Sequence, residues 1–280
     1  MSTEISADEF ELLRGYIEEQ CGIALGDEKA YLIETRLTKL MIENGCENFG
    51  EFYRLIKKDP RSGLRDKIVD AMTTNETLWF RDNHPFTILT EKLLPPLTDE
   101  LRAGKRGPVR IWSAASSTGQ ELYSIAMTIQ EYCRAHPGVE PGQFELLGTD
   151  ISPSALFIAT AGRYDPIAMK RGLPDSLRDR YFKQDGRVWI LDEGIRKMAT
   201  FKKFNLQDST MGLGTFDIVF LRYVAIYFSD DLKKQIFSNI TRVLSPGGHL
   251  IIGAVESLRG YSDAFELVTH AGGNYYRHVS

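Results

Sequence analysis

Along roughly the first eighty positions, apolar residues recur at intervals of three and four. Phe10, Leu13, Tyr16 and Ile17 predict a helix over Ala7–Gln20. Tyr31, Leu32, Leu37, Leu40 and Met41 predict a second over Glu28–Asn44, closed by Gly45. Shorter helical patterns over Glu51–Lys58 and Leu64–Met72 are separated by Asp59-Pro60 and Gly63 as turn signals. Short helices on short loops read as a small bundle.

After Pro108 the period changes. Apolar runs at Val109–Trp112, Phe144–Gly148, Asp217–Leu221 and Gly247–Ala254 predict strands, with a weaker one at Phe201–Asn205. Helical patterns lie between them: one to about Arg134, one opening at Pro153, one from about Asp230 to Leu244. Strands alternating with such helices predict a doubly wound parallel sheet. Two runs break the alternation. Arg187–Leu191 follows Asp185-Gly186, a hairpin signal, and predicts a small antiparallel insertion at about 164–199. Asn274–Val279 reads as a last strand with no helix after it.

Composition narrows the class. The 280 residues are 42% hydrophobic and 26% charged, as in ordinary globular proteins, and no run is apolar enough to span a bilayer. The polar, acidic N-terminus is unlike a signal peptide, and the three cysteines (Cys21, Cys46, Cys133) are odd in number and widely spaced. Reduced thiols in a cytoplasm fit that pattern, and no Cys/His group has metal-ligand spacing. A formal net charge of −4 argues against a nucleic-acid partner.

Candidate chemistry sits at three places. The loop Ser113–Gly119 is small and hydroxyl-rich, which suits close approach of a ligand to a helix N-terminus, or simply a strand–helix connection. Asp150, ending the second strand, can accept from both ribose hydroxyls or cap the next helix. Loop and acid in consecutive βα units favour a nucleoside-containing cofactor. The third place is Thr73–Asp82 (TTNETLWFRD) at the junction of the two regions; a polar linker with two buried aromatic anchors would have the same composition.

In this order, TTNETLWFRD, IWSAASSTGQELYSIAM, GTDIS, FNLQD, RYVAIYF and LSPGGHLIIGAVES resemble the chemotaxis receptor glutamate methyltransferases, the CheR family, over nearly the whole chain. The resemblance implies an all-α receptor-docking domain over 1–85 and an S-adenosylmethionine-binding domain over 86–280, the latter a Rossmann-like doubly wound methyltransferase sheet carrying the β insertion. It implies cofactor contacts at Asn75, Thr77, Arg81, Glu121, Asp150, Asn205, Leu206, Arg222 and Tyr223. It places Tyr227 beside the transferred methyl, and Arg81 with it as a catalytic residue. It implies methyl transfer to glutamate side chains of a cytoplasmic receptor helical bundle, docked through a basic helix face for which Arg36 and Lys39 are the candidates. A glutamate acceptor is ionised near neutrality, so neither a general base nor a metal is expected. Trp79, Phe80, Tyr227 and Phe228 are suited to lining a dry pocket, with core packing the alternative for Phe80 and Phe228.

The chain departs from the family in several places. Tyr223 replaces an asparagine, and the sequence alone predicts that Tyr223→Asn would improve binding or turnover. Ala225 stands for a bulkier residue, Leu122 for proline, and Leu40 and Ile42 for residues that are often basic; the Asp185-Gly186 turn is short. A different class of reading is a non-catalytic binder of S-adenosylmethionine or S-adenosylhomocysteine that regulates a partner. A nucleic-acid methyltransferase and a nicotinamide dehydrogenase are disfavoured by missing motifs.

Overall fold

A computed structural model of the chain describes residues 4–58 and 63–279. The Asp59-Pro60 signal lies outside them. Helix α1 (Ala7–Cys21) opens on a capping box, Ser6 accepting from the Glu9 amide while Glu9 reaches back to Ser6. It ends where Gly22 turns left-handed, at φ 77°. With α2 (Ala30–Glu43), α3 (Phe49–Lys58) and α4 (Leu64–Met72) it encloses a core of its own, around Leu13, Ile33, Leu37, Phe49 and Ile68. The periodic apolar positions of the sequence are buried except in the first turn of α2, where Tyr31 is exposed and Leu32 half-buried. Leu40, which stands for a basic residue, is among the buried ones.

Two helices not read from the pattern, α5 (His84–Ile88) and α6 (Leu94–Arg102), run almost continuously through a π-helical stretch at Leu89–Leu93. Their residues Ile88, Leu89, Leu93 and Leu94 are fully buried against the sheet.

The sheet is built from β1 (Val109–Ala114), β2 (Phe144–Asp150), β6 (Ala199–Lys203), β7 (Phe216–Leu221), β8 (Leu244–Ile252), β9 (Phe265–His270) and β10 (Gly273–His278). Its order is β6-β2-β1-β7-β8-β10-β9. The first five are parallel; β10 and β9 run antiparallel. Helices α7 (Gln120–Ala135), α8 (Pro153–Ala161) and α12 (Asp230–Thr241) make the crossovers. Strand β8 begins earlier than its sequence pattern: Leu244 pairs with Phe216, and a register irregularity then absorbs Ser245-Pro246-Gly247-Gly248. Strand β9 was not foreseen, because Phe265–His270 alternates weakly and lies on an edge.

Between β2 and β6 sits a separate antiparallel sheet: β3 (Arg163–Tyr164), β4 (Phe182–Asp185) and β5 (Val188–Leu191), in the order β3-β5-β4. Asp185 pairs with Val188, so the tight turn is Gly186-Arg187, one residue later than the Asp185-Gly186 signal. Short helices at Pro166–Met169, Asp175–Tyr181 and Glu193–Met198 (α9, α10, α11) surround it.

Candidate active site

Strand order reverses between β1 and β7, and the carboxyl ends of the parallel strands open a crevice there. The loop after β1 supplies Ala115 and Ser117, with φ 61° and 49°, a left-handed backbone that costs any residue with a Cβ about 1–3 kcal/mol. The Ser117 amide donates to Asp150 Oδ2 at 2.8 Å, and the Ser152 amide to Oδ1 at 2.9 Å. Burial pushes the Asp150 carboxyl up, and these amides oppose the shift without cancelling it. Asp150 does not cap α8. That role belongs to Ser152, which accepts from the Ala155 amide. Each Asp150 oxygen therefore keeps acceptor capacity on the crevice side.

The strip Thr73–Arg81 crosses the crevice mouth. The Asn75 amide nitrogen reaches Ser152 Oγ at 3.4 Å, and the Asn75 carbonyl accepts from Ser117 Oγ at 3.1 Å. Strip and loop are thus stitched together.

A third wall comes from the first helices and the turn between them, upstream of the Thr73–Asp82 strip, where the sequence assigns no cofactor contact. Ala24 donates to the Tyr227 carbonyl at 2.9 Å, and Ile23 forms a β-bridge with Phe228. Asn205 donates to the Gln20 carbonyl at 3.0 Å, and Gln207 to that of Glu18 at 3.2 Å. Cys21, Ile23, Leu25, Lys29 and Leu32 consequently line the cleft. Only Leu32 of these belongs to a helical pattern read from the sequence; Ile23 and Leu25 lie in the turn between α1 and α2, and only the neighbouring domain shows that they face a ligand space.

One cleft of about 1350 Å³, open mouth included, collects Asn75, Thr77, Arg81, Glu121, Asp150, Asn205, Leu206, Arg222, Tyr223 and Tyr227 in its walls. Several side chains there are already committed. Arg222 is buried, donating to Glu121 Oε2 and Asp82 Oδ2, each at 2.8 Å, and to the Arg81 carbonyl at 2.6 Å. Glu121 also accepts from Ser113 Oγ at 2.8 Å. Asn205 spends both its amide nitrogen and its oxygen on bracing. Arg81 differs. Its guanidinium lies 3.5 Å from the Tyr223 ring centroid and makes no hydrogen bond or ion pair among the described residues. The Tyr227 hydroxyl is likewise without a partner among them, as no hydrogen bond involves it.

Two expectations need correction, those for Arg36 and Trp79. Arg36 does not offer its charge to the outside: it donates to the Met72 carbonyl at 2.6 Å and Thr74 Oγ1 at 3.1 Å, holding the end of α4 and the start of the strip. Helix ends expose carbonyls, and a nearby guanidinium satisfies them. Lys39 is exposed, 3.8 Å from Glu43 and apart from the cleft. Trp79 does not line the pocket. It is fully buried, edge-on to Tyr164 and Phe182, donating to the Ala168 carbonyl at 3.1 Å. Phe80 is core as well, whereas Phe228 is buried and still lines the cleft. Among the described residues no group of His, Cys, Asp or Glu could hold a metal ion, and no helix is long and apolar enough to cross a membrane.

Comparison with known proteins gives consistent matches. The family model described as CheR methyltransferase, SAM binding domain, matches residues 75–272, and that described as CheR methyltransferase, all-alpha domain, matches residues 8–73. The chain is 44% identical over 271 residues to chemotaxis protein methyltransferase Cher2 of Pseudomonas putida, covering 96% of this chain and 97% of that protein. It is 45% identical to chemotaxis protein methyltransferase 1 of Pseudomonas aeruginosa, with the same coverage. The corresponding protein of Vibrio cholerae is 44% identical over 98% of both chains.

Proposed function

Because the chain belongs to the CheR methyltransferase family, we propose that it transfers a methyl group to glutamate carboxylates of chemotaxis receptors, giving glutamyl methyl esters. Its methyl donor is S-adenosylmethionine. The observation that carries this reading is the single cleft shared by Arg81, Asp150 and Tyr227.

The donor fits the groups present. Asp150 has spare acceptor capacity where two ribose hydroxyls would lie. Leu206, Ile151 and Phe204 offer an apolar slot for a flat base. Arg81 has uncommitted donors for a carboxylate, and Glu121, though paired with Arg222, keeps lone pairs for an ammonium. When bound, the cofactor supplies an electrophilic methyl on a sulfonium sulfur.

The acceptor carboxylate, with an ordinary pKa of about 4.3, needs no base at neutral pH. What remains for the protein is positioning and exclusion of water, since opposite charges cancel as transfer proceeds. In this reading the Tyr227 hydroxyl, which lines the cleft without a partner among the described residues, donates to the acceptor and orients it. Ile23, Leu25, Leu32 and Phe228 keep that end of the cleft apolar.

Incubation with radiolabelled S-adenosylmethionine and receptor-containing membranes tests the proposal. Alkali-labile label on receptor is expected. A protein that binds S-adenosylhomocysteine yet labels no receptor would favour the regulator reading instead.

A further inference from the structure

We infer that Tyr223 is the positioning residue of this site: its ring is a platform that holds Arg81 flat and turns the guanidinium edge toward the cofactor's carboxylate. This rests on the cleft being the cofactor site. It departs from the expectation that Tyr223 touches the cofactor directly or disturbs it.

The geometry is built from several independent contacts. Tyr223 has φ 58°, a backbone state that a bulky residue enters only at a cost. Two contacts hold it there. Its amide donates to Glu256 Oε2 at 2.7 Å, and the Gly253 amide donates to the same oxygen at 2.7 Å. The ring lies against Gly253, where an added Cβ would stand 2.9 Å from a ring carbon. Its hydroxyl donates to Asp82 Oδ2 at 2.5 Å and accepts from the Ala254 amide at 3.3 Å. Hydrogen bonding from Tyr223 and the charge of Arg222 keep the Asp82 carboxyl below its usual range although burial opposes them.

So the ring is fixed at both ends, and Arg81 lies on its face at 3.5 Å. A guanidinium stacked this way keeps its in-plane N–H donors at the edge, free for a carboxylate. Of the three arginines lining the cleft, Arg36 donates to the Met72 carbonyl and Thr74 Oγ1, and Arg222 donates through both terminal nitrogens to Glu121, Asp82 and the Arg81 carbonyl, its buried Nε being left without a partner. Arg81 alone among them has a guanidinium with no hydrogen bond or ion pair among the described residues. A long, unpaired side chain would otherwise lose rotamer freedom when the ligand binds; the platform removes that freedom beforehand.

Calorimetry with two ligands tests this. S-adenosylhomocysteine carries the amino-acid carboxylate, whereas methylthioadenosine has the same nucleoside and lacks it. Tyr223→Leu is expected to weaken S-adenosylhomocysteine about tenfold, equivalent to about 1.4 kcal/mol, and to leave methylthioadenosine unchanged. Tyr223→Phe, which keeps the ring, should stay within about threefold of wild type. In an Arg81→Ala background, Tyr223→Leu should have little further effect. Should the leucine variant fail to fold, Tyr223→Asn suits the left-handed backbone and is expected to show the same selective loss. Equal weakening of both ligands, additive effects with Arg81→Ala, or tighter binding by Tyr223→Asn would each overturn the inference. Wild-type protein that binds neither ligand would overturn the cofactor reading and this inference together.

Discussion

At the scale of single residues, the proposed function gives Asp150 a part in binding and Tyr227 a part in the reaction. Asp150 sits buried with both oxygens oriented by backbone amides, so the carboxylate is held in one orientation. Asp150→Ala removes two charge-assisted hydrogen bonds, each worth roughly 1.5–3 kcal/mol. Calorimetry should show S-adenosylhomocysteine binding weakened by more than about thirtyfold, and an effect under threefold would remove Asp150 from the site. Tyr227 differs because its backbone is tied to Ala24 while its hydroxyl has no partner among the described residues. Tyr227→Phe should leave S-adenosylhomocysteine binding intact and lower kcat on receptor by about tenfold or more, on the order of 1.5 kcal/mol. Unchanged turnover would end its role.

At the scale of elements, the turn between α1 and α2 is the piece that makes the cleft a cleft. Gly22 adopts φ 77°, and a Cβ there would stand 2.5 Å from Leu232 Cδ2 on α12. The close approach lets Ile23 and Ala24 pair with Phe228 and Tyr227. A β-branched residue suffers both from the backbone and from the contact. Gly22→Val should destabilise the fold by roughly 1–3 kcal/mol and weaken S-adenosylhomocysteine binding as the wall lifts. Thermal unfolding and calorimetry check the two effects, and wild-type values in both would show that the turn is a passive connection. The strip at Thr73–Arg81 is held from both sides, by Arg36 on α2 and by Ser117 and Ser152 of the sheet domain. Its composition alone was equally compatible with a linker.

At the scale of the whole molecule, helices and sheet share further ties: Lys203 donates to Asp66 at 2.6 Å and Ser152 Oγ to Asp70 at 2.6 Å. Stability should depend on acid through His249, on β8 beside β10. Burial, helped by the charge of Arg277, lowers its pKa to about 4. The unfolded chain has the ordinary value, about 6.5. Between these values the unfolded state binds a proton that the folded state refuses, so stability falls as pH drops from about 6.5 to about 4, on the order of 1–3 kcal/mol. His249→Gln should flatten that part of the profile of Tm against pH. An identical slope in the variant would mean that other groups carry the acid sensitivity.

Local pattern was enough to read the helical bundle, the parallel strands, the hairpin insertion and the loop after β1, since hydrophobic period and turn residues act over a few neighbours. Motif order was enough for the family, because TTNETLWFRD beside a nucleoside loop and acid is a rare combination. Other features depended on residues far apart in the chain. Which carbonyls Arg36 meets, whether Trp79 lines a pocket or fills a core, and which ring Arg81 lies against are decided by which surfaces meet. Charge and ring identity can be read along the chain, but the partner of a charge is set only when the helical region closes over the sheet.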